Sequence, residues 1–275
     1  MPKRALAAAL ALAAAACAAP APAPSPEPAP LRVLVYNVHA GKDAARADNL
    51  ARVAGVVRET RADLVLLQEV DRGTERSGRV DQAAELARLT GMHGVFGKTL
   101  DFQGGGYGVA LLSRWPVSGD TLVHLAADPP GEPTASSREP RGVLHARVDA
   151  PGGPLHLLNT HLDASGPDTF RRREAAALLG IAGRLREGGA RVLVGGDFNA
   201  TPESAVIADV LGAGWRDGWA ACGGAGEGLT FPAKAPTKRI DYLFLPAGTA
   251  CDSAAVVGGE ASDHRGVLFV LSPRP

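Results

Sequence analysis

Beyond residue 30, the hydrophobic positions of the chain fall into two alternating patterns. Predominantly apolar, strand-like stretches rich in Val and Leu occupy Leu31–Tyr36, Asp63–Gln68, Gly108–Leu112, Leu144–Val148, Leu155–Asn159, Arg191–Val194, Ile240–Leu245 and Gly266–Leu271. Runs of this length predict strands, and apolar residues on both faces demand cover on both sides. Between them lie stretches of helical period. Asp48–Thr60 puts Leu50, Val53, Ala54 and Val57 on one face with Asp48 as the cap. Asp81–Leu89 ends at Gly91, and the long amphipathic stretch Phe170–Arg186 is stopped by Gly188-Gly189. Two sheets packed on each other with helices outside satisfy every one of these faces, so the pattern predicts an α/β sandwich.

The first thirty residues follow neither pattern. Lys3 and Arg4 precede an apolar run, Ala5–Ala16, far short of the ~20 residues of a membrane span. Residues 1–16 therefore read as a signal peptide. Ala14-Ala15-Ala16-Cys17 resembles a bacterial lipobox, which would lipidate Cys17; ordinary cleavage near Ala19 is the competing reading. Residues 17–30, rich in Pro and Ala, read as a stiff tether, leaving 31–275 as one domain. The expected location is the cell envelope, periplasmic or lipid-anchored. Cys222 and Cys251 read equally as a disulfide or as two buried thiols.

Composition narrows the class. Apolar residues make up 45% of the chain, enough for a large core. Lys+Arg and Asp+Glu number 29 each. That balance weakens, without excluding, a protein that grips long nucleic acid through a basic surface.

The chemistry stands at the strand ends. The runs close in Tyr36-Asn37-Val38-His39, Gln68-Glu69-Val70-Asp71, Asn159-Thr160-His161-Leu162-Asp163 and Gly195-Gly196-Asp197-Phe198-Asn199. Arg239-Ile240-Asp241-Tyr242 and Ser262-Asp263-His264 complete the set. Any one such residue reads first as a turn former or a packed histidine. Six together, each at the end of an apolar strand, read as one site assembled on a rim.

In these six segments and their order, the chain from about Leu31 to Leu271 resembles the endonuclease/exonuclease/phosphatase superfamily. Its members include deoxyribonuclease I, abasic-site endonucleases, neutral sphingomyelinases and inositol-polyphosphate phosphatases. The resemblance implies a four-layer α/β/β/α sandwich, with two mixed sheets face to face and helices outside. It also implies Mg²⁺- or Mn²⁺-dependent hydrolysis of a P–O bond. Glu69 and Asp263 match metal ligands in it, with Asn37 either donating an amide oxygen or orienting Glu69. Asp197 matches the group that activates water, and Asn199 holds that group or the phosphate. His161 and His264 match the histidines flanking the phosphate, one of them paired with Asp241. Ser137-Arg138-Glu139-Pro140 resembles a deoxyribonuclease I segment whose Arg faces substrate phosphate; Arg141 competes with Arg138 for that role. Tyr107, in Gly-Gly-Gly-Tyr-Gly, reads either as a substrate-facing group or as an ordinary loop residue.

Hard oxygen donors suit Mg²⁺, which offsets the charge that makes phosphodiesters resist attack. The rim loops, taken as 71–80, 100–107, 126–138 and 215–236, lack basic clusters interleaved with aromatics, although Arg72, Arg76 and Arg79, with Arg138 and Arg141, could make a modest anion-binding surface. The expected activity is that of a phosphodiesterase, of nuclease or phospholipid-headgroup type, working as a monomer. A phosphatase of a small phosphorylated molecule is the third substrate class. The alternative from another class is an inactive envelope-binding lipoprotein on the same fold.

Overall fold

A computed structural model describes residues 29–125, 139–166 and 168–273. The leader, the lipobox and most of the tether lie outside the described residues, as does Arg138. Among the described residues, no helix is long and apolar enough to cross a membrane.

In chain order the elements are β1 (Leu31–Asn37), α1 (Leu50–Glu59), β2 (Leu64–Arg72), α2 (Gln82–Thr90), β3 (His93–Phe102), β4 (Gly105–Ser113) and β5 (Val117–Leu125). Then follow β6 (Arg141–Val148), β7 (Leu155–His161), α3 (Asp168–Glu187), β8 (Arg191–Asp197), α4 (Ala205–Gly212) and β9 (Trp215–Asp217). The chain closes with α5 (Gly218–Ala221), β10 (Asp241–Pro246), β11 (Cys251–Val257) and β12 (Gly266–Leu271). The strands form two mixed six-stranded sheets, ordered β11-β12-β1-β2-β4-β3 and β5-β6-β7-β8-β10-β9.

The period-2 alternation of β1 explains the layers. Val33 and Val35 point between the sheets and pack with Leu66, Leu111, Leu157 and Leu243. Leu34 and Tyr36 point the other way, onto Val53 and Val57 of α1 and Leu86 of α2. The second sheet repeats the scheme, with Leu158 and Val194 under Leu178 of α3 and Ile207 of α4. Three apolar cores thus separate four layers. Each fully buried Leu or Val contributes roughly 1.5–3 kcal/mol relative to exposure.

The structure corrects the sequence reading at several points. Asp48 does not cap α1: Asn49 takes that position, and Asp48 pairs with Lys42. Residues 100–107 are not an open loop but the hairpin end of β3 and β4. The edge strands β3, β5 and β11 carry no unbroken apolar run, because much of each faces solvent. α2 follows expectation: Asp81 accepts the Ala84 N–H at 3.0 Å, and Gly91 ends the helix with φ +70°.

Cys222 and Cys251 form a disulfide. Cys251 faces Leu271, and Leu271 faces Leu31 at the start of β1. The staple therefore sits at the end of the sandwich opposite Asn37.

Candidate active site

Asn37, Glu69, His161 and Asp197 stand at or near the ends of two parallel pairs, β1–β2 and β7–β8. Backbone irregularities aim them. Between Leu67 and Val70 the register of β2 against β4 shifts, so two residues oppose one. Glu69 is the extra residue, held at φ +56°. Val65, Leu67 and Val70 all lie in the core under the helices, whereas strict alternation would send Val70 to the other face. The bulge thus frees the Glu69 carboxylate for the rim. On β8, Gly196 has φ +141°, and a Cβ there would overlap the Thr160 carbonyl. Only glycine lets the strands approach closely enough to bring Asp197 beside His161.

Asn37 joins the two sheets. Its Nδ2 donates to Glu69 Oε1 at 2.9 Å and to Asp197 Oδ2 at 3.0 Å, while its Oδ1 accepts the His39 N–H at 3.0 Å. An amide nitrogen between two carboxylates can only be the donor end, which fixes the orientation. The Asn37 side chain thus orients Glu69. Asp197 also accepts the Asn199 backbone N–H at 2.9 Å through Oδ1. Asn199, at φ +48°, donates its Nδ2 to the Leu162 carbonyl and lies 3.0 Å from His161 Nε2. Since that carbonyl must accept, Asn199 is the donor to His161 as well, and the ring proton belongs on Nδ1. On the other side, His264 Nδ1 lies 3.0 Å from Asp241 Oδ2, and its Nε2 is 3.6 Å from Asp197 Oδ2.

Burial sets the electrostatics. Asp197 and Asp241 are each 1% exposed and His264 4%. Burial, then the charge of Asp241, raises the Asp197 carboxyl to about 7, against the pull of His264. Burial also opposes charging His264, but Asp241 and Asp197 outweigh it and lift the ring to about 10. His161 moves the other way: burial, then Arg141 and His264, hold it well below 6.5. The site therefore holds one cationic and one neutral histidine.

Asp197, Asp241 and His264 offer ligand atoms within 4.8 Å of one another, near enough to share a cation. A protonated imidazole has no lone pair to give, so this trio fits a proton-holding role better than a metal site. Glu69 is only half-buried and has one oxygen engaged by Asn37. Asp263, in the segment before β12, has its Oδ1 3.7 Å from Nδ1 of His39, whose backbone N–H bonds Asn37. Among the described residues, neither Glu69 nor Asp263 is in an ion pair with an Arg or Lys, which leaves their negative charge open to a cation. Hard oxygen donors with open charge fit a Mg²⁺- or Mn²⁺-like ion.

Tyr107 lies within β4, nearly buried, rather than in an open loop. Burial and the charges of Glu69 and Glu139 raise its phenol well above 10. Arg141 begins β6 almost fully buried, 2.9 Å from Glu139 Oε1, and its Nε has no hydrogen-bond partner among the described residues. Sequence reasoning left Glu139 without a role and Arg76 only in a diffuse basic surface. Arg76 forms a two-pronged pair with the buried Asp71, 2.8 Å on each prong, and covers the rings of Phe102 and Tyr107. The only sequence hint was the spacing of Asp71 and Arg76.

Solved structures share this fold. An endonuclease/exonuclease/phosphatase from Beutenbergia cavernae superposes with a TM-score of 0.69 at 24% identity, over 90% of this chain and 73% of that one. The mannosyl-6-phosphatase Bt3783 of Bacteroides thetaiotaomicron gives 0.72 at 18% identity, over 88% and 100%. TDP2 from C. elegans gives 0.66 at 19% identity, over 89% and 75%. Among curated proteins, none matches the chain in sequence. The family model for Endonuclease/Exonuclease/phosphatase matches residues 34–264, a span running from β1 to His264. The chain belongs to the endonuclease/exonuclease/phosphatase family.

Proposed function

We propose that this chain is a divalent-metal-dependent hydrolase of phosphate esters, acting on diesters of nuclease or phospholipid-headgroup type. The observation that carries the reading is Asp197, a buried carboxyl raised to about 7 and held by Asn37, the Asn199 N–H and His264. A base serves best when its pKa lies near the working pH. Asp197 accepts the proton of the attacking water as the water oxygen bonds to phosphorus and the P–O bond to the leaving group breaks. His264 holds the proton available to the departing oxygen, because it is charged and His161 is not. Asp241 keeps that charge in place and fixes the ring. Asn199, bound to His161 and to the Asp197 segment, holds both against rotation. Tyr107, Arg76 and Arg141 line the side of the rim near Glu69 and supply cationic and phenolic groups to the substrate. Arg138, in the segment leading to Glu139, joins that surface. Glu69 and Asp263 would hold Mg²⁺ or Mn²⁺, whose charge neutralises phosphoryl oxygens, with Asn37 orienting Glu69 through its Nδ2.

We infer that the chain is exported, a reading its leader pattern and the Cys222–Cys251 disulfide both support, since disulfides persist in oxidising compartments. Lipidation of Cys17 would hold the domain beside membrane substrates.

The test is hydrolysis of bis-p-nitrophenyl phosphate beside the monoester p-nitrophenyl phosphate, with Mg²⁺, Mn²⁺ or EDTA. Metal-dependent turnover that favours the diester is expected. Preference for the monoester would shift the reading to the activity named for the mannosyl-6-phosphatase neighbour. No turnover of either ester by folded protein, followed by none on DNA, sphingomyelin or phosphoinositides, would refute it.

A further inference from the structure

Hydrocarbon fills most of the space between the sheets, but beside the Glu69 bulge it is interrupted by a buried pair of amides. Asn159, on β7 of the second sheet, is 1% exposed, and Gln68, on β2 of the first, is 0% exposed. By alternation Asn159 follows Leu155 and Leu157 into the core between the sheets, and Gln68 follows Leu64 and Leu66. They meet there: Gln68 Nε2 donates to Asn159 Oδ1 at 2.6 Å and to the Leu66 carbonyl at 3.2 Å. Asn159 Nδ2 donates to the carbonyls of Leu67 and Ala110, each at 2.9 Å.

The identity of those two carbonyls matters. Leu67 and Ala110 are the last partners in register before β2 slips against β4. The next residues on β2 are Gln68 and Glu69, and Glu69 sits at φ +56°, a left-handed conformation that is strained for a non-glycine residue. Such strain persists only where the surroundings over-determine it. One side chain from the opposite sheet thus clamps both strands at the last regular pair, and also holds the first bulged residue.

We propose that Asn159 is a positioning residue: by bonding Leu67, Ala110 and Gln68 together it maintains the bulge that turns Glu69 toward Asn37 and the rim. It touches neither substrate nor metal. The inference rests on the reading of Glu69 as a metal ligand only for its functional consequence; the structural claim stands independently.

Asn159→Leu keeps the branched heavy-atom skeleton of the amide, with bulkier ends, and removes all three hydrogen bonds. Leu157→Ala, a neighbouring core change on the same strand, serves as the stability control. Two quantities are read on the full chain: the Glu69 φ in a crystal structure of each variant, and Mn²⁺ affinity by calorimetry. The proposal expects Glu69 to leave positive φ in Asn159→Leu and Mn²⁺ affinity to fall at least tenfold, the range seen when groups supporting a ligand are lost. Leu157→Ala should keep both, whatever it does to the melting temperature. Glu69 retained near +56° in Asn159→Leu, with unchanged affinity, would overturn the proposal. Should Asn159→Leu fail to fold, Gln68→Leu, which cuts the link from the bulged residue, is read by the same criteria. A wild-type protein that binds no Mn²⁺ would sink the metal reading, while the Glu69 backbone would still decide the role of Asn159.

Discussion

Each sheet of the sandwich contains a parallel strand pair joined through a helix, β1–α1–β2 in one and β7–α3–β8 in the other. Each pair is flanked by antiparallel neighbours, β12 and β4 in the first sheet, β6 and β10 in the second. The two units end on the same rim with different equipment. The first presents Asn37 and a half-buried Glu69 on a strained bulge. The second presents His161 and Asp197, both almost fully enclosed, with Asp241 alongside on β10. Exposure decides what each can do. A carboxylate open to solvent can exchange water for a cation, whereas an enclosed one has its proton affinity raised by burial. On the proposed function, one scaffold would provide a cation-holding side and a proton-handling side, with the Asn37 amide between them.

The largest way to break this division is Asp197→Asn. It keeps the shape and removes the base, so turnover should fall by about 10²–10⁴-fold, as expected for loss of general-base assistance. A steady-state assay checks it, and a loss below tenfold would place the base elsewhere.

A smaller effect sharpens the proton side. Asp197 must be ionised and His264 protonated, so the rate should rise as pH climbs through about 7 and fall as it climbs through about 10. The charge of Asp241 raises both groups. Asp241→Asn should therefore move both limbs of the pH–rate profile to lower pH, besides lowering the maximum. Limbs that stay in place would remove Asp241 from the network. Stability carries the same signature: the contribution of His264 is complete below 6.5 and is lost as pH rises through about 10.

The smallest effect on the rim should come from the far end. Replacing Cys222 and Cys251 by Ser opens a loop with a separation of 29 residues. The chain-entropy account puts the loss of stability at roughly 3–4 kcal/mol. The melting temperature should fall, and turnover below the new transition should stay within about twofold, because the staple lies at the opposite end of β1.

What could be read from the sequence follows the same physical division. Strands buried on both faces, such as β1 and β12, announce themselves as apolar runs. Edge strands such as β5, exposed along most of its length, do not. Polar residues at the ends of buried strands stand out because enclosing them is costly unless they are bonded. Asn37, His161, Asp197, Asp241 and His264 were therefore visible, and the fold gathers them. The bulge was not: Gln68-Glu69 after an apolar run looks like the end of a strand, whereas β2 continues to Arg72. Nor does any local pattern show that Asn159 reaches into the other sheet, or that Arg76 bonds Asp71 while covering Tyr107. Those contacts depend on which strands the topology makes neighbours.

The central claim is that the cation and the proton are held by different sides of the rim. Metal titration by calorimetry on Glu69→Gln and Asp197→Asn, beside the unaltered chain, tests it most directly. Glu69→Gln should lose Mg²⁺ or Mn²⁺ binding by tenfold or more, while Asp197→Asn should bind the ion within about threefold of the parent yet fail to turn over. The reverse, with the ion lost from Asp197→Asn and retained by Glu69→Gln, would make the buried Asp197–Asp241–His264 trio the metal site and contradict the account.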